Sequence, residues 1–200
     1  MSITMDRLVD LSPASLLGQC GSTCLVLGCP KIVDPGHSVF FDGHSDGLIL
    51  ARVPLPGAGS FSIQVDFMPA ADGLAEQRLF HIQDELSDDR LLLEIRLLPG
   101  GFWFADSYFQ SRGQAVILQD PALIHPCDTW YRYTVAYDGH IFSHTIDGRL
   151  EGTVALADAT LPNSGMTSIG IRGNRLWPFC GGIKTLMIGE NPLSDHRSDL

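Results

Sequence analysis

The segment Thr129-Trp130-Tyr131-Arg132-Tyr133-Thr134-Val135-Ala136-Tyr137-Asp138-Gly139, followed by Ile146-Asp147-Gly148, constrains the fold more than any other. Two strand-like runs flank the Asp138-Gly139 dipeptide, a strong hairpin turn, and Asp147-Gly148 closes the unit with a second. Elsewhere the same rhythm holds. In Phe61-Ser62-Ile63-Gln64-Val65-Asp66-Phe67 the odd positions are apolar and the even ones polar, which puts one face in a core and the other toward water. The 21 glycines and 12 prolines punctuate such runs throughout the chain. Strands are expected near 38–41, 47–52, 60–68, 78–83, 91–97, 102–107, 115–118, 130–137, 141–146, 152–155, 167–171 and 181–188. The best helical stretch is Pro13 to Leu17, behind a Ser12 cap. This pattern predicts an all-β, two-sheet antiparallel β-sandwich. With 200 residues and no repeat or linker, it is expected to be one domain, with residues 1–38 as an N-terminal strand and short-helix region packed on it.

Two hairpins can be drawn by register. If Leu98-Pro99-Gly100-Gly101 is a tight turn, Leu97 pairs with Phe102, Arg96 with Trp103 and Ile95 with Phe104. Phe102 and Phe104 then join the core, while Trp103 joins Glu94 and Arg96 on the outer face. In the second hairpin Tyr137 would face His140, Val135 Phe142 and Tyr133 His144. A slip of one residue would turn every side chain to the other face.

The charge narrows the partners. Acidic residues number 23 against 13 basic ones, a net charge of −10, and Lys31 and Lys184 are the only lysines. A nucleic-acid surface needs clustered cations, and an anionic membrane surface needs the same, so neither is expected. Neutral ligands fit more easily, and a small anion fits only where arginines converge. No run reaches the ~18 apolar residues of a membrane helix, so no membrane insertion is expected. The first residues carry Asp6 and Asp10 beside Arg7, and Gly18, Gln19, Gly21 and Ser22 interrupt the apolar stretch at Leu16-Leu17. No clear signal peptide is read there, so the chain is expected in the cytoplasm unless a leader preceded it, in which case outside the cell. Cys20, Cys24 and Cys29 form C-x3-C-x4-C with His37 beyond, a spacing looser than zinc sites use; small buried hydrophobes fit it better. Cys127 and Cys180 bring the total to five cysteines, an odd number.

From Val39 onward the ordered segments resemble the laminin-G-like, concanavalin-A-like jelly roll. Val39-Phe40-Phe41-Asp42-Gly43-His44-Ser45-Asp46-Gly47-Leu48-Ile49 is similar to that family's opening strands, and Ser60 to Pro69 to its next long strand. Thr129 to Gly139, with Ile146-Asp147-Gly148, resembles its central hairpin. Ser168-Ile169-Gly170, Phe179-Cys180-Gly181-Gly182-Ile183 and Asn191-Pro192-Leu193-Ser194 resemble its closing strands and tail. The resemblance covers roughly residues 39–194. It implies two packed antiparallel sheets, a sugar-binding or protein-binding role in many members, and glycan hydrolysis or lysis in some. Many members bind calcium, but where the resemblance expects an acidic residue after the last strand motif this chain has Lys184, a cation in place of an oxygen ligand. No metal or other cofactor is expected to be required.

The candidate site is a polar sheet face. His81 and Gln83 alternate with Phe80 and Ile82, and if this strand neighbours 91–97, the face gathers His81, Gln83, Glu94, Arg96 and Trp103. Trp103 would offer a platform for a sugar ring, with Arg96 and Glu94 as hydrogen-bonding groups, Tyr108, Gln110 and Arg112 near the edge, and Arg132 as a secondary wall. The leading function is therefore a non-enzymatic carbohydrate-binding or adhesion module. A rival is a polysaccharide lyase or glycoside hydrolase acting on the same groove, with His81, Gln83, Arg96 and Tyr108 as its machinery. Alginate-type lyases of this fold place a Gln and a His two apart on one strand, in the reverse of the order His81-Ile82-Gln83. Jelly-roll hydrolases carry "E-x-D-x-x-E", which this chain lacks. A third reading is a protein-interaction or assembly domain, its oligomeric state open. His144 falls at a position the resemblance expects to be apolar, where a hydrogen-bonded core histidine is the simplest reading.

Overall fold

The computed structural model describes residues 7–18, 24–33 and 37–190. In chain order they form β1 (Leu8–Asp10), α1 (Pro13–Gly18), β2 (Leu25–Leu27), β3 (Lys31–Val33), β4 (Ser38–Asp42), β5 (Gly47–Leu50), β6 (Phe61–Pro69), β7 (Glu76–Gln83) and β8 (Arg90–Leu98). The second half adds β9 (Phe102–Ser111), β10 (Gln114–Gln119), β11 (His125–Pro126), β12 (Tyr131–Tyr137), β13 (Ile141–Ile146), β14 (Arg149–Ala155), β15 (Met166–Ile169) and β16 (Cys180–Gly189). Each strand expected from alternation is present. Those not expected, β1, β2, β3 and β11, have three residues or fewer, too few for alternation to show.

The strands make two eight-stranded antiparallel sheets. Sheet A runs β14-β13-β12-β6-β16-β4-β3, with β1 also paired to β16; sheet B runs β10-β9-β8-β7-β15-β5-β2, with β11 also paired to β9. The inward positions of β6 (Phe61, Ile63, Val65 and Phe67) are all fully buried. They meet sheet B through aromatic edges: Phe61 lies 5.5 Å from Phe109 and Phe67 5.1 Å from Trp103. Burying each such side chain contributes ~1.5–3 kcal/mol, so the alternation of β6 alone goes far toward holding the sheets together.

The N-terminal region packs on this sandwich, with Leu11 and Leu16 in the core. Ser12 behaves differently from a simple cap. Its carbonyl accepts from Leu16 N at 3.1 Å, but its hydroxyl accepts from Leu186 N on β16 at 3.1 Å. Asp10 supplies the side-chain contacts instead, to Ser12 N and Ser15 Oγ. Cys29 is exposed rather than buried, while Cys127 and Cys180 are buried free thiols. Cys20 lies outside the described residues.

Both hairpins differ from the expected register, with different consequences. Between β8 and β9 the loop has three residues, Pro99 to Gly101. Gly100 and Gly101 both take positive φ, 91° and 76°, which lets the chain reverse there. Leu98 therefore pairs with Phe102, Leu97 with Trp103, Arg96 with Phe104 and Glu94 with Asp106. The shift is one residue, so the whole of β9 is turned over relative to expectation. Between β12 and β13, Asp138 Oδ1 accepts from His140 N and Ile141 N at 2.8 Å each, which lengthens the loop. Tyr137 then pairs with Phe142, Val135 with His144 and Tyr133 with Ile146. That shift is two residues, so each side chain keeps its predicted face.

Candidate functional site

The outer face of sheet B carries a polar groove built from ladder positions. In one row across the strands Arg78 pairs with Glu94, Glu94 with Asp106 and Asp106 with Gln119; in the next, His81, Leu92, Tyr108 and Ile117 follow one another. Arg78 belongs to this face because β7 bulges between Arg78 and Phe80, which resets the alternation. Arg90 and Arg96 share the parity of Glu94. Arg172, from the β15–β16 connection, completes the lining around a volume of about 200 Å3.

The carboxylates are held by ion pairs. Glu94 Oε1 lies 2.5 Å from Arg78 Nε and its Oε2 3.2 Å from Arg96 Nη2. Arg96 also reaches Asp106 Oδ2 at 2.7 Å and Glu76 Oε1 at 2.5 Å. Burial pushes the Glu94 carboxyl up to about 7, against the pull of Arg78 and with repulsion from Asp106. Burial also opposes charge on Arg96, but the Asp106 hydrogen bond and the surrounding carboxylates outweigh it and raise that guanidinium. Arg90 and Arg172 differ. Arg90 donates to Tyr108 Oη at 3.1 Å and to the Asp88 carbonyl at 3.2 Å, and lies 4.7 Å from the Tyr108 ring centroid. Arg172 lies 5.2 Å from the centroid of the Trp177 ring, which also meets Arg78 at 4.8 Å. Neither Arg90 nor Arg172 has a carboxylate within ion-pairing distance among the described residues.

The expected site residues separate into three groups. Glu94, Arg96 and Tyr108 line the groove. His81 is on the same face but buried, its Nδ1 accepting from Gly173 N at 3.3 Å. Burial, together with Arg172, Arg78 and Arg90, drives its pKa down to about 3. Gln83 turns into the β7–β8 connection, where its amide donates to the Ser87 carbonyl at 3.2 Å. Trp103 and Arg132 are elsewhere. The one-residue hairpin shift sends Trp103 into the core, fully buried against Phe67, Tyr131 and His125, so it offers no platform. Arg132 is on sheet A, forked onto both oxygens of Asp66 at 2.8 and 2.9 Å, and cannot wall a groove on sheet B. The half-buried rings near the groove are Tyr108 and Trp177 instead.

Arg78, Arg90, Asp106, Arg172 and Trp177 were missed. Arg90 shares the parity of Glu94 and Arg96 and could have been found by extending that strand one residue. Arg78 is hidden by the bulge, Asp106 by the hairpin register, and Arg172 and Trp177 by a loop whose position no local pattern encodes.

His144 lies inside the sandwich. Its Nδ1 is 2.9 Å from Ser107 Oγ, which is 2.6 Å from Tyr133 Oη, so one serine of sheet B joins two side chains of sheet A. Burial lowers the His144 pKa to about 4.

Where the resemblance expects an acidic calcium ligand the chain has Lys184. Lys184 stands near the end of the chain's last strand motif, its ammonium 6.0 Å from the Trp130 ring centroid. No group of three or more His, Cys, Asp or Glu side chains among the described residues is arranged to hold a metal ion.

Residues 42–197 match the profile of the concanavalin A-like lectin/glucanases superfamily in its laminin-G-like branch. The chain belongs to this superfamily. No curated protein sequence matches it. Among solved structures, the heptameric SAP-like pentraxin of Limulus polyphemus superposes with a TM-score of 0.64 at 13% identity, over 80% of this chain and 78% of the pentraxin. CBM40 of the Ruminococcus gnavus IT-sialidase, bound to alpha2,3 sialyllactose, gives a TM-score of 0.56 at 16% identity, over 68% of this chain and 78% of its own. The binding domain of Botulinum neurotoxin serotype D gives 0.59 at 16% identity, over 86% of this chain and 44% of its own. At such identities the likeness establishes the shared sandwich fold and nothing finer.

Proposed function

We propose that the chain is a non-enzymatic glycan-binding module whose site is the groove on the outer face of sheet B. The observation that carries this reading is the groove's lining: forked guanidinium donors around a volume of about 200 Å3. Sugar hydroxyls need such directional donors, and the rings of Tyr108 and Trp177 hold the guanidinium groups of Arg90 and Arg172 in place at the groove. The sialyllactose-bound CBM40 on the same fold is consistent with it.

The state of the ionisable groups argues for binding over catalysis. His81 Nδ1 accepts from Gly173 N, which leaves the ring proton on Nε2 and no lone pair to abstract a proton. Glu94 and Asp106 face one another across β8 and β9, as a hydrolase pair would. Burial raises Glu94 to about 7, as a general acid needs, but Arg78 and Arg96 on its two oxygens favour the charged form.

A glycan array with the intact protein tests the reading. Discrete hits are expected, weakened by Tyr108→Ala. Release of reducing ends or unsaturated uronate from a bound glycan, lost in Glu94→Gln or His81→Ala, would show an enzyme instead.

A further inference from the structure

The geometry points to an anionic sugar as the ligand of this groove, its oxyanion held by Arg90 and Arg172; the inference rests on the glycan-binding reading above. Four guanidinium groups line the volume, Arg78, Arg90, Arg96 and Arg172, against two carboxylates, Glu94 and Asp106. Those carboxylates and Glu76 are already paired with Arg78 and Arg96. Arg90 and Arg172 are left with a hydroxyl, a carbonyl and aromatic faces as partners. The excess positive charge is local, in a chain of net charge −10. The rest of the surface is acidic, so anion binding is confined to this groove.

Burial gives the charge its effect. Arg78, Glu94 and Asp106 in the groove lining are each at most 5% exposed, so the field of the guanidinium groups is weakly screened there. Burial first, and Arg172, Arg78 and Arg90 after it, keep the imidazole of His81 neutral. The volume is below the ~300–1,000 Å3 of sites for drug-sized ligands, which suits one charged sugar unit better than an extended chain. The oxyanion is a ring carboxylate or a sulfate ester, since a guanidinium fork pairs with either.

Affinity electrophoresis of the intact protein separates the outcomes. The gels carry polygalacturonate, the same polymer with its carboxyls reduced to alcohols, heparin, or a neutral β-glucan. We expect retardation by polygalacturonate or heparin, whichever matches the oxyanion, weakening as salt is added. The neutral and carboxyl-reduced polymers should retard at least tenfold less. Arg90→Gln and Arg172→Gln should each weaken retention tenfold or more, and Arg149→Gln, an exposed arginine on sheet A, should leave it unchanged. Equal retention by neutral or carboxyl-reduced polymer would overturn the anionic assignment and leave the glycan-binding reading standing. Anionic retention indifferent to Arg90 and Arg172, or lost equally in Arg149→Gln, would overturn the site. No retention by any of the four polymers would overturn the inference, and silence on a wide neutral and acidic glycan array as well would overturn the glycan-binding reading itself.

Discussion

Replacing Ser107 by alanine tests the link between the two sheets. The Ser107 hydroxyl is buried between Tyr133 Oη at 2.6 Å and His144 Nδ1 at 2.9 Å, and all three side chains are at most 1% exposed. Ser107→Ala removes one polar atom but leaves two buried ones without a partner. Each orphaned group costs ~1–3 kcal/mol, so the expected loss is about 3 kcal/mol. Tyr133→Phe removes only the outer member and leaves the serine bonded to the histidine, a net hydrogen-bond loss of about 1 kcal/mol. In the double variant the tyrosine orphan no longer exists, so the two losses should fall short of additive by ~1 kcal/mol. The assay is urea denaturation of the wild type, both single variants and the double variant, with calorimetry beside it. At ~2–4 °C per kcal/mol for a domain of this size, Ser107→Ala should lower Tm by about 6–12 °C. If Ser107→Ala costs no more than Tyr133→Phe, or the two changes add fully, the reasoning is refuted.

The remaining expectations concern the same core and its acid limit. His144 and His81 titrate at about 4 and about 3 in the folded chain, below the 6.5 of an unfolded histidine. Their stabilising contribution is therefore complete above pH 6.5 and is lost as pH falls through the folded values, ~3 kcal/mol for His144; NMR titration of its imidazole showing a midpoint near 6.5 would contradict this. Trp103→Ala should cost ~3–5 kcal/mol in denaturation, as a core aromatic does; a stable variant with weakened glycan binding would restore Trp103 to the surface. Gly170 has φ of 72°, and a Cβ there would lie 2.5 Å from the Phe41 ring, so Gly170→Ala should destabilise by more than ~1 kcal/mol. Wild-type stability in that variant would contradict the packing.

Much of the sandwich was legible because alternation is a property of one strand read alone. Phe61, Ile63, Val65 and Phe67 announce their buried face without reference to any neighbour, and the same logic located β7, β8, β12 and β13. The site was legible only in part. Glu94 and Arg96 were placed on the right face, but Tyr108 only at its edge and Trp103 wrongly, because the faces of β9 depend on how many residues the loop between β8 and β9 spends. Two consecutive positive-φ glycines made that number three. The second hairpin carried an error twice as large and no such consequence, since a two-residue slip preserves parity.

The sequence by itself determined the class of fold, the strands, and which face of most strands is buried. It also determined that any anion site would need converging arginines, since the rest of the chain is acidic. Tertiary structure alone decided that they converge. Arg78 reaches the groove through a bulge, Arg90 through pairing with Gln83 and Gln110, and Arg172 through a loop folded back over β7 beside Trp177. The physical reason is one of range. Periodicity is set by backbone geometry within a strand, whereas register, bulges and loop placement are set by packing between segments far apart in the chain.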